Sequence, residues 1–127
     1  MENIIINEQF RMAFYFNGDW QRAEYMQYKV LETYKDKFEK NHPKILDALS
    51  YLASIYWNQG RWKEAEELQL QVLELRNKVL GEEHPDTLTA MANLTCTYQN
   101  QGRWKEAEEV GTASLGIAEQ SVRRRTS

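Results

Sequence analysis

In this 127-residue chain the side chains whose type and clustering most suggest nucleophilic attack, proton transfer or metal ligation are His42, His84, Cys96 and the carboxylates of Lys63-Glu-Ala-Glu-Glu67 and Lys105 to Glu109. A catalytic histidine needs a nucleophile or an orienting carboxylate in reach, and a carboxylate pair does acid–base work when its members' environments differ. Here each histidine precedes a proline, as His42-Pro43 and His84-Pro85, 42 residues apart. That repeated register makes them helix-start capping residues. Cys96 has no histidine near it in sequence, and the position one period earlier is Ser54, so it reads as an inert reduced thiol. The lysine and glutamate clusters read as a solvated helix face with i,i+4 support. There is no phosphate-cradling glycine loop and no Gly-x-Ser-x-Gly elbow. Asn93-Leu94-Thr95 has the form of a glycosylation acceptor, but it falls in mid-helix with no secretion signal before it. Neither catalysis, a cofactor nor a metal is expected.

What positions these residues is an internal repeat. Gly18, Gly60 and Gly102 are spaced by 42, as are Trp20, Trp62 and Trp104, then Ala23, Ala65 and Ala107. Asn58-Gln-Gly-Arg-Trp-Lys-Glu-Ala-Glu-Glu67 recurs unchanged as Asn100 to Glu109. Between His42 and Leu73, seventeen of thirty-two positions match the residue 42 later, far above chance. Self-similarity at a fixed period signals an array of supersecondary units.

Each unit reads as two helices. Leu46, Leu49, Leu52, Ala53 and Tyr56 fall at three-and-four spacing, and Leu88, Met91, Leu94 and Tyr98 repeat that face. Pro43 and Pro85 open these helices, where a missing N–H costs nothing. Asn-Gln-Gly ends them, and Trp62, Ala65, Leu68, Val72, Leu75 and Val79 begin a second apolar stripe that Gly81 closes. No segment alternates with period two, so no strand is expected. One hairpin buries only one of its sides, whereas three stacked hairpins bury a continuous core. The small residues Ala23, Ala65, Ala107, Ala53 and Thr95 mark close helix crossings, and Trp20, Trp62 and Trp104 are expected to anchor the core. Repeat 3 carries Gly111 and Gly116 inside its second helix, so that helix is expected to fray beyond Gly116.

Composition narrows the function classes. The chain is 42% hydrophobic and 28% charged, a globular balance, and its single cysteine excludes a disulfide framework. No apolar run approaches the length of a membrane span. Met1-Glu2-Asn3 lacks the basic start of a signal peptide, so a cytoplasmic setting is expected. The net charge is −3, yet Arg123, Arg124 and Arg125 lie at the end, and residues 1–122 alone carry a net −6. A nucleic-acid binder needs a basic face, so none is expected here. The three-arginine tail reads as a solvated, frayed terminus.

Gly-x-Trp-x-x-Ala opening a second helix, with Leu52-Ala53-Ser-Ile-Tyr56 closing the first, resembles the tetratricopeptide repeat. The period of 42 exceeds that family's usual ~34. Gly81-Glu-Glu-His-Pro85-Asp and Trp62-Lys-Glu-Ala-Glu66 are similar to the long repeats of kinesin light chains and of fungal NACHT and NB-ARC signalling ATPases. A period near 42 also fits HEAT and armadillo repeats, but neither uses Gly-x-Trp-x-x-Ala at the helix junction. The resemblance implies an all-α fold, an α-solenoid of three helix-turn-helix repeats forming a right-handed superhelical segment. It implies one domain over residues 1–127: repeat 1 about 3–41, repeat 2 about 42–83, repeat 3 about 84–122, and a tail at 123–127.

In such arrays first helices line a concave face and second helices a convex one. The groove positions implied for repeat 1 are Ile5, Glu8, Met12, Tyr15 and Phe16. For repeat 2 they are Asp47, Ser50, Ser54, Trp57 and Asn58. For repeat 3 they are Thr89, Ala92, Cys96, Gln99 and Asn100. The first helices of repeats 2 and 3 are almost uncharged, with only Lys44 and Asp47 in one and Asp86 in the other. Aromatics beside adaptable amides compose a recognition surface. Kinesin light chain arrays take acidic peptides on basic groove residues, and none of these positions is lysine or arginine. The expected ligand is therefore an uncharged or mildly basic protein or peptide segment. The expected function is a non-catalytic protein-interaction scaffold. The alternative is a self-associating module that stacks or exchanges helices through its repeat ends to form a homo-oligomer.

Overall fold

In a computed structural model the described residues are Tyr15 and residues 18–126. Beyond the helical Tyr15 they form five α-helices and no strand. The helices are α1 (Trp20–Lys37), α2 (Pro43–Asn58), α3 (Trp62–Leu80), α4 (Pro85–Asn100) and α5 (Trp104–Thr126). The chain divides into two compact units, Met1–Leu68 and Gln69–Ser127.

The helix boundaries follow from local chemistry. His42 and His84 adopt extended backbone and cap α2 and α4, with Nδ1 accepting the backbone N–H of Lys44 at 3.1 Å and of Asp86 at 3.0 Å. A proline follows each cap in the first helical turn. These histidines are structural caps, as their register implies. Asp19 plays the same part for α1, its carboxylate accepting from the N–H of Arg22. Gly60 and Gly102 have φ of +77° and +74°, the left-handed region that only glycine adopts without strain. There the chain reverses, and the N–H groups of Arg61 and Arg103 donate back to the carbonyls of Tyr56 and Tyr98.

In the first unit the core is the apolar face of α2, Ile45, Leu46, Leu49, Leu52, Ala53, Ile55 and Tyr56, together with Ala23, Val30 and Leu31 of α1. Gln27, fully buried, donates from Nε2 to the carbonyl of Ala48 at 2.8 Å. In the second unit Leu94, Tyr98 and Ala107 pack with Leu73 and Val110. One period after Gln27, Gln69 accepts a 2.6 Å hydrogen bond from the hydroxyl of Thr97. The small residues Ala23, Ala53, Ala65 and Ala107 are each no more than 3% exposed, as close helix crossings require.

Two expectations are corrected. The last helix does not fray at Gly116 but continues to Thr126. Ser121 is buried, Ile117 and Ala118 are half-buried, and Arg124 pairs with Glu83. Three arginines in the final turn also suit the negative end of the helix dipole. These contacts offset two interior glycines, so the arginine tail is helical and partly engaged. The second correction concerns the tryptophans. All three open a second helix at equivalent places, but Trp20 and Trp62 are only half-buried and Trp104 is 66% exposed. They rim the core rather than fill it.

Candidate protein-interaction site

On α2 the residues opposite the buried face are Asp47, Ser50, Ser54, Trp57 and Asn58, all reaching solvent at least in part. On α4 the matching residues Thr89, Ala92, Cys96, Gln99 and Asn100 all reach solvent as well. Both sets follow the three-and-four spacing of one helix face. Of repeat 1, Tyr15 is described, and Ile5, Glu8, Met12 and Phe16 lie outside the described residues.

In the first unit the stripe is aromatic and internally braced. The ring of Tyr15 meets Trp20 edge-on at 4.8 Å and lies 5.0 Å from Tyr51. Trp57 meets Trp62 edge-on at 5.4 Å. Asn58 donates from Nδ2 to the carbonyl of Ser54 at 2.7 Å and to the hydroxyl of Tyr15 at 3.2 Å. Asn100 makes the same backbone bond to Cys96 at 2.8 Å. In both asparagines Nδ2 thus braces the helix end, and Oδ1 is a further hydrogen-bond acceptor.

In the second unit the stripe forms one wall of an open cleft of about 710 Å³. Ala92, Thr95, Cys96 and Gln99 of α4 line one side; Trp104, Ala107, Glu108, Gly111, Thr112, Ser114 and Leu115 of α5 line the other. The lining is mostly apolar and carries one charge, that of Glu108. Cys96 is a free, exposed thiol in this wall. Among the described residues no group of three or more His, Cys, Asp or Glu is placed to hold a metal ion, and no helix is long and apolar enough to cross a membrane.

Composition and periodicity alone do not reveal Arg61 and Arg103, each of which clamps its own helix junction. The guanidinium of Arg61 lies over the ring of Tyr56, 4.2 Å from its centre, and that of Arg103 over Tyr98 at 4.5 Å. Arg61 also bonds Gln59 at 3.0 Å, Glu24 at 2.8 Å, and Glu64. Arg103 bonds Gln101 at 3.2 Å and Glu106 at 2.7 Å. The hydrogen bonds from Arg61 and Arg103 hold the carboxyls of Glu64 and Glu106 below the usual range. Beside the Arg61 clamp, Tyr28 and Tyr56 share a short hydroxyl contact. Desolvation of its hydroxyl, then that contact, push the Tyr28 phenol above its ordinary range. The signal in the sequence was the Tyr-x-x-Gln-Gly-Arg spacing, identical in repeats 2 and 3.

Comparison with known proteins accords with this geometry. Two models of the tetratricopeptide repeat match, one over residues 44–120 and one over residues 12–44. No curated protein matches in sequence. Among solved structures, TPR-like repeats attributed to a kinesin light chain of Podosopora anserina superpose with a TM-score of 0.83 at 28% identity. BtubC from P. vanneervenii gives 0.81 at 18% identity, covering 93% of this chain and 47% of that one. The TPR domain of Arabidopsis FLU gives 0.77 at 16% identity, covering 94% and 97%. The last two likenesses speak to fold alone. The match to the Podosopora repeats covers 96% of this chain and 57% of that one, so this chain spans little more than half that structure. With the matched segment 44–120 taking in more than half its length, the chain belongs to the tetratricopeptide repeat family.

Proposed function

We propose that the chain is a non-catalytic protein–protein interaction scaffold that receives a peptide or partner protein on the concave, first-helix face of its repeats. The family is generally one of non-catalytic scaffolds. The observation that carries the reading is the split of α2 and α4 into a buried and a solvent-reaching face. Asp47, Ser50, Ser54, Trp57 and Asn58 reach solvent on a helix whose other face is core. Thr89, Ala92, Cys96, Gln99 and Asn100 do the same one period later. Tyr15, with Met12 and Phe16 beside it in sequence, extends the proposed face into repeat 1. A surface helix with nothing to recognise would carry charge there, and these stripes hold one, Asp47. The division of one domain into repeats at 3–41, 42–83 and 84–122, and a cytoplasmic setting, belong to the same proposal.

Self-association through the repeat ends is the competing reading. The charge balance weighs against it, since residues 1–122 carry a net −6 and two copies would bring like charges together. The test compares capture of partners from extract by the wild type and by Trp57→Ala combined with Asn100→Ala. Partners should be lost while helicity stays within a few per cent of wild type. Retained capture at unchanged helicity moves the site off the first-helix face.

A further inference from the structure

The far end of α5 departs from the repeat in charge and in conformation. Arg123, Arg124 and Arg125 stand 42 residues after Gly81, Glu82 and Glu83, so a basic stretch replaces an acidic turn. Gly81, at φ +91°, ends α3, whereas α5 runs through Arg123 to Thr126. Ser121 is buried, and residues 122–126 are all exposed. Arg124 pairs with Glu83, in the turn that precedes α4. Arg123 and Arg125 have no ion-pair partner among the described residues. The Thr126 hydroxyl donates to the carbonyls of Val122 at 3.1 Å and Arg123 at 3.2 Å, both in its own helix. No earlier serine or threonine follows a pair of arginines.

We propose that Thr126 is a phosphorylation site for a serine/threonine kinase that reads arginines two and three residues before its acceptor, and that the Arg124–Glu83 pair restrains access to it. Arg124 and Arg123 hold those two places. Carboxylates in a kinase cleft receive guanidinium groups through charge-assisted, bidentate hydrogen bonds. Such a cleft takes its substrate in extended form, so residues 123–126 must first leave the helix. Their side chains are exposed, so unwinding uncovers no core, but it breaks the Arg124–Glu83 pair. In the transfer Thr126 Oγ1 attacks the γ-phosphorus of ATP. Its proton passes to the kinase's catalytic carboxylate, and the bond to the β-phosphate oxygen breaks to release ADP. The product does not regain the helical turn. Its Oγ1 no longer donates to the Val122 and Arg123 carbonyls, and a phosphate at the negative end of α5 opposes the helix dipole. Phosphorylation therefore shortens α5 by a turn and parts Arg124 from Glu83. The site stands apart from the scaffold reading, since no residue of the first-helix stripes takes part.

The test incubates the full chain with ATP and the catalytic subunit of cyclic-AMP-dependent protein kinase, with the modified residue located by tandem mass spectrometry. Thr126 should take the phosphate. Arg123→Ala, which breaks no ion pair among the described residues, should slow incorporation on the order of tenfold. Glu83→Gln removes the restraint and should speed incorporation about threefold. A kinase that selects acidic flanks should leave Thr126 unmodified. Backbone amides of residues 123–126 should exchange hydrogen faster in the phosphorylated chain than in the unmodified one. Phosphate on Ser127 or elsewhere instead of Thr126, an unchanged rate in Arg123→Ala, or modification of Thr126 by the acid-directed kinase overturns the site. An unchanged or slower rate in Glu83→Gln overturns the restraint, and equal amide exchange in the two forms overturns the unwinding.

Discussion

The indole of Trp57 meets that of Trp62 edge to face, with ring centres 5.4 Å apart and planes at 77°. One period earlier Tyr15 meets Trp20 in the same way, at 4.8 Å and 82°. One period later the ring partner is replaced by Gln99, and Trp104 stands 66% exposed. The two half-buried indoles each have a ring partner, and the exposed one does not.

Gln99→Trp should therefore restore the pair in the last repeat. An edge-to-face aromatic pair contributes about 1 kcal/mol beyond its buried area. The variant should melt several degrees higher, and iodide should quench a smaller fraction of its fluorescence than expected for an added exposed indole. An unchanged melting temperature with a fifth quenchable indole would show that the pair does not form.

The histidine caps make a separable prediction. His42→Ala and His84→Ala should each destabilise the fold by about 1 kcal/mol, because a helix N–H loses its acceptor. His42→Asn and His84→Asn should recover most of that loss, since asparagine supplies a side-chain oxygen at the cap. Urea unfolding followed by circular dichroism checks both pairs.

Thr87 offers a stabilising change. It is 1% exposed, and its Oγ1 has no hydrogen-bond partner among the described residues. The position one period earlier is Ile45, also buried. Thr87→Val keeps the shape and removes an unsatisfied hydroxyl, so it should stabilise by about 1 kcal/mol, read as a higher urea midpoint.

The tyrosine pair predicts an alkaline limit. Because the folded-state Tyr28 phenol is held above its usual range, its contribution is complete below about pH 10, where the unfolded phenol titrates, and is lost as pH rises further. Tyr28→Phe should flatten the fall in urea midpoint as pH rises through about 10. At the acid end the sign reverses for Glu64, whose carboxyl is lowered by the hydrogen bond from Arg61. Its contribution is present above the ordinary carboxylate range and lost as pH falls below it, and Glu64→Gln should remove that dependence.

The helices were legible because each carries its own punctuation. His-Pro at the start, Gly60 or Gly102 at the end, and leucines at three-and-four spacing are local signals that packing reinforced. The first-helix stripes were legible for the same reason, since a buried face fixes the opposite one. The exposure of Trp104 was harder to read, because repetition suggests equal surroundings and Gln99 breaks the pattern five residues upstream. The helicity of residues 117–126 was misread because propensity counts Gly111 and Gly116 but not the burial of Ser121 or the Arg124–Glu83 pair. The Arg61 clamp joins residues from Glu24 to Glu64, and no single window of sequence displays such a set.

The central claim is that the first-helix stripes are where a partner sits. Hydroxyl-radical footprinting of the chain, alone and with a captured partner, tests it most directly. Protection of Trp57 and Cys96 is predicted, with Tyr25 and Val79 on the second helices labelled as before; protection of Tyr25 and Val79 with Trp57 and Cys96 unchanged would contradict it.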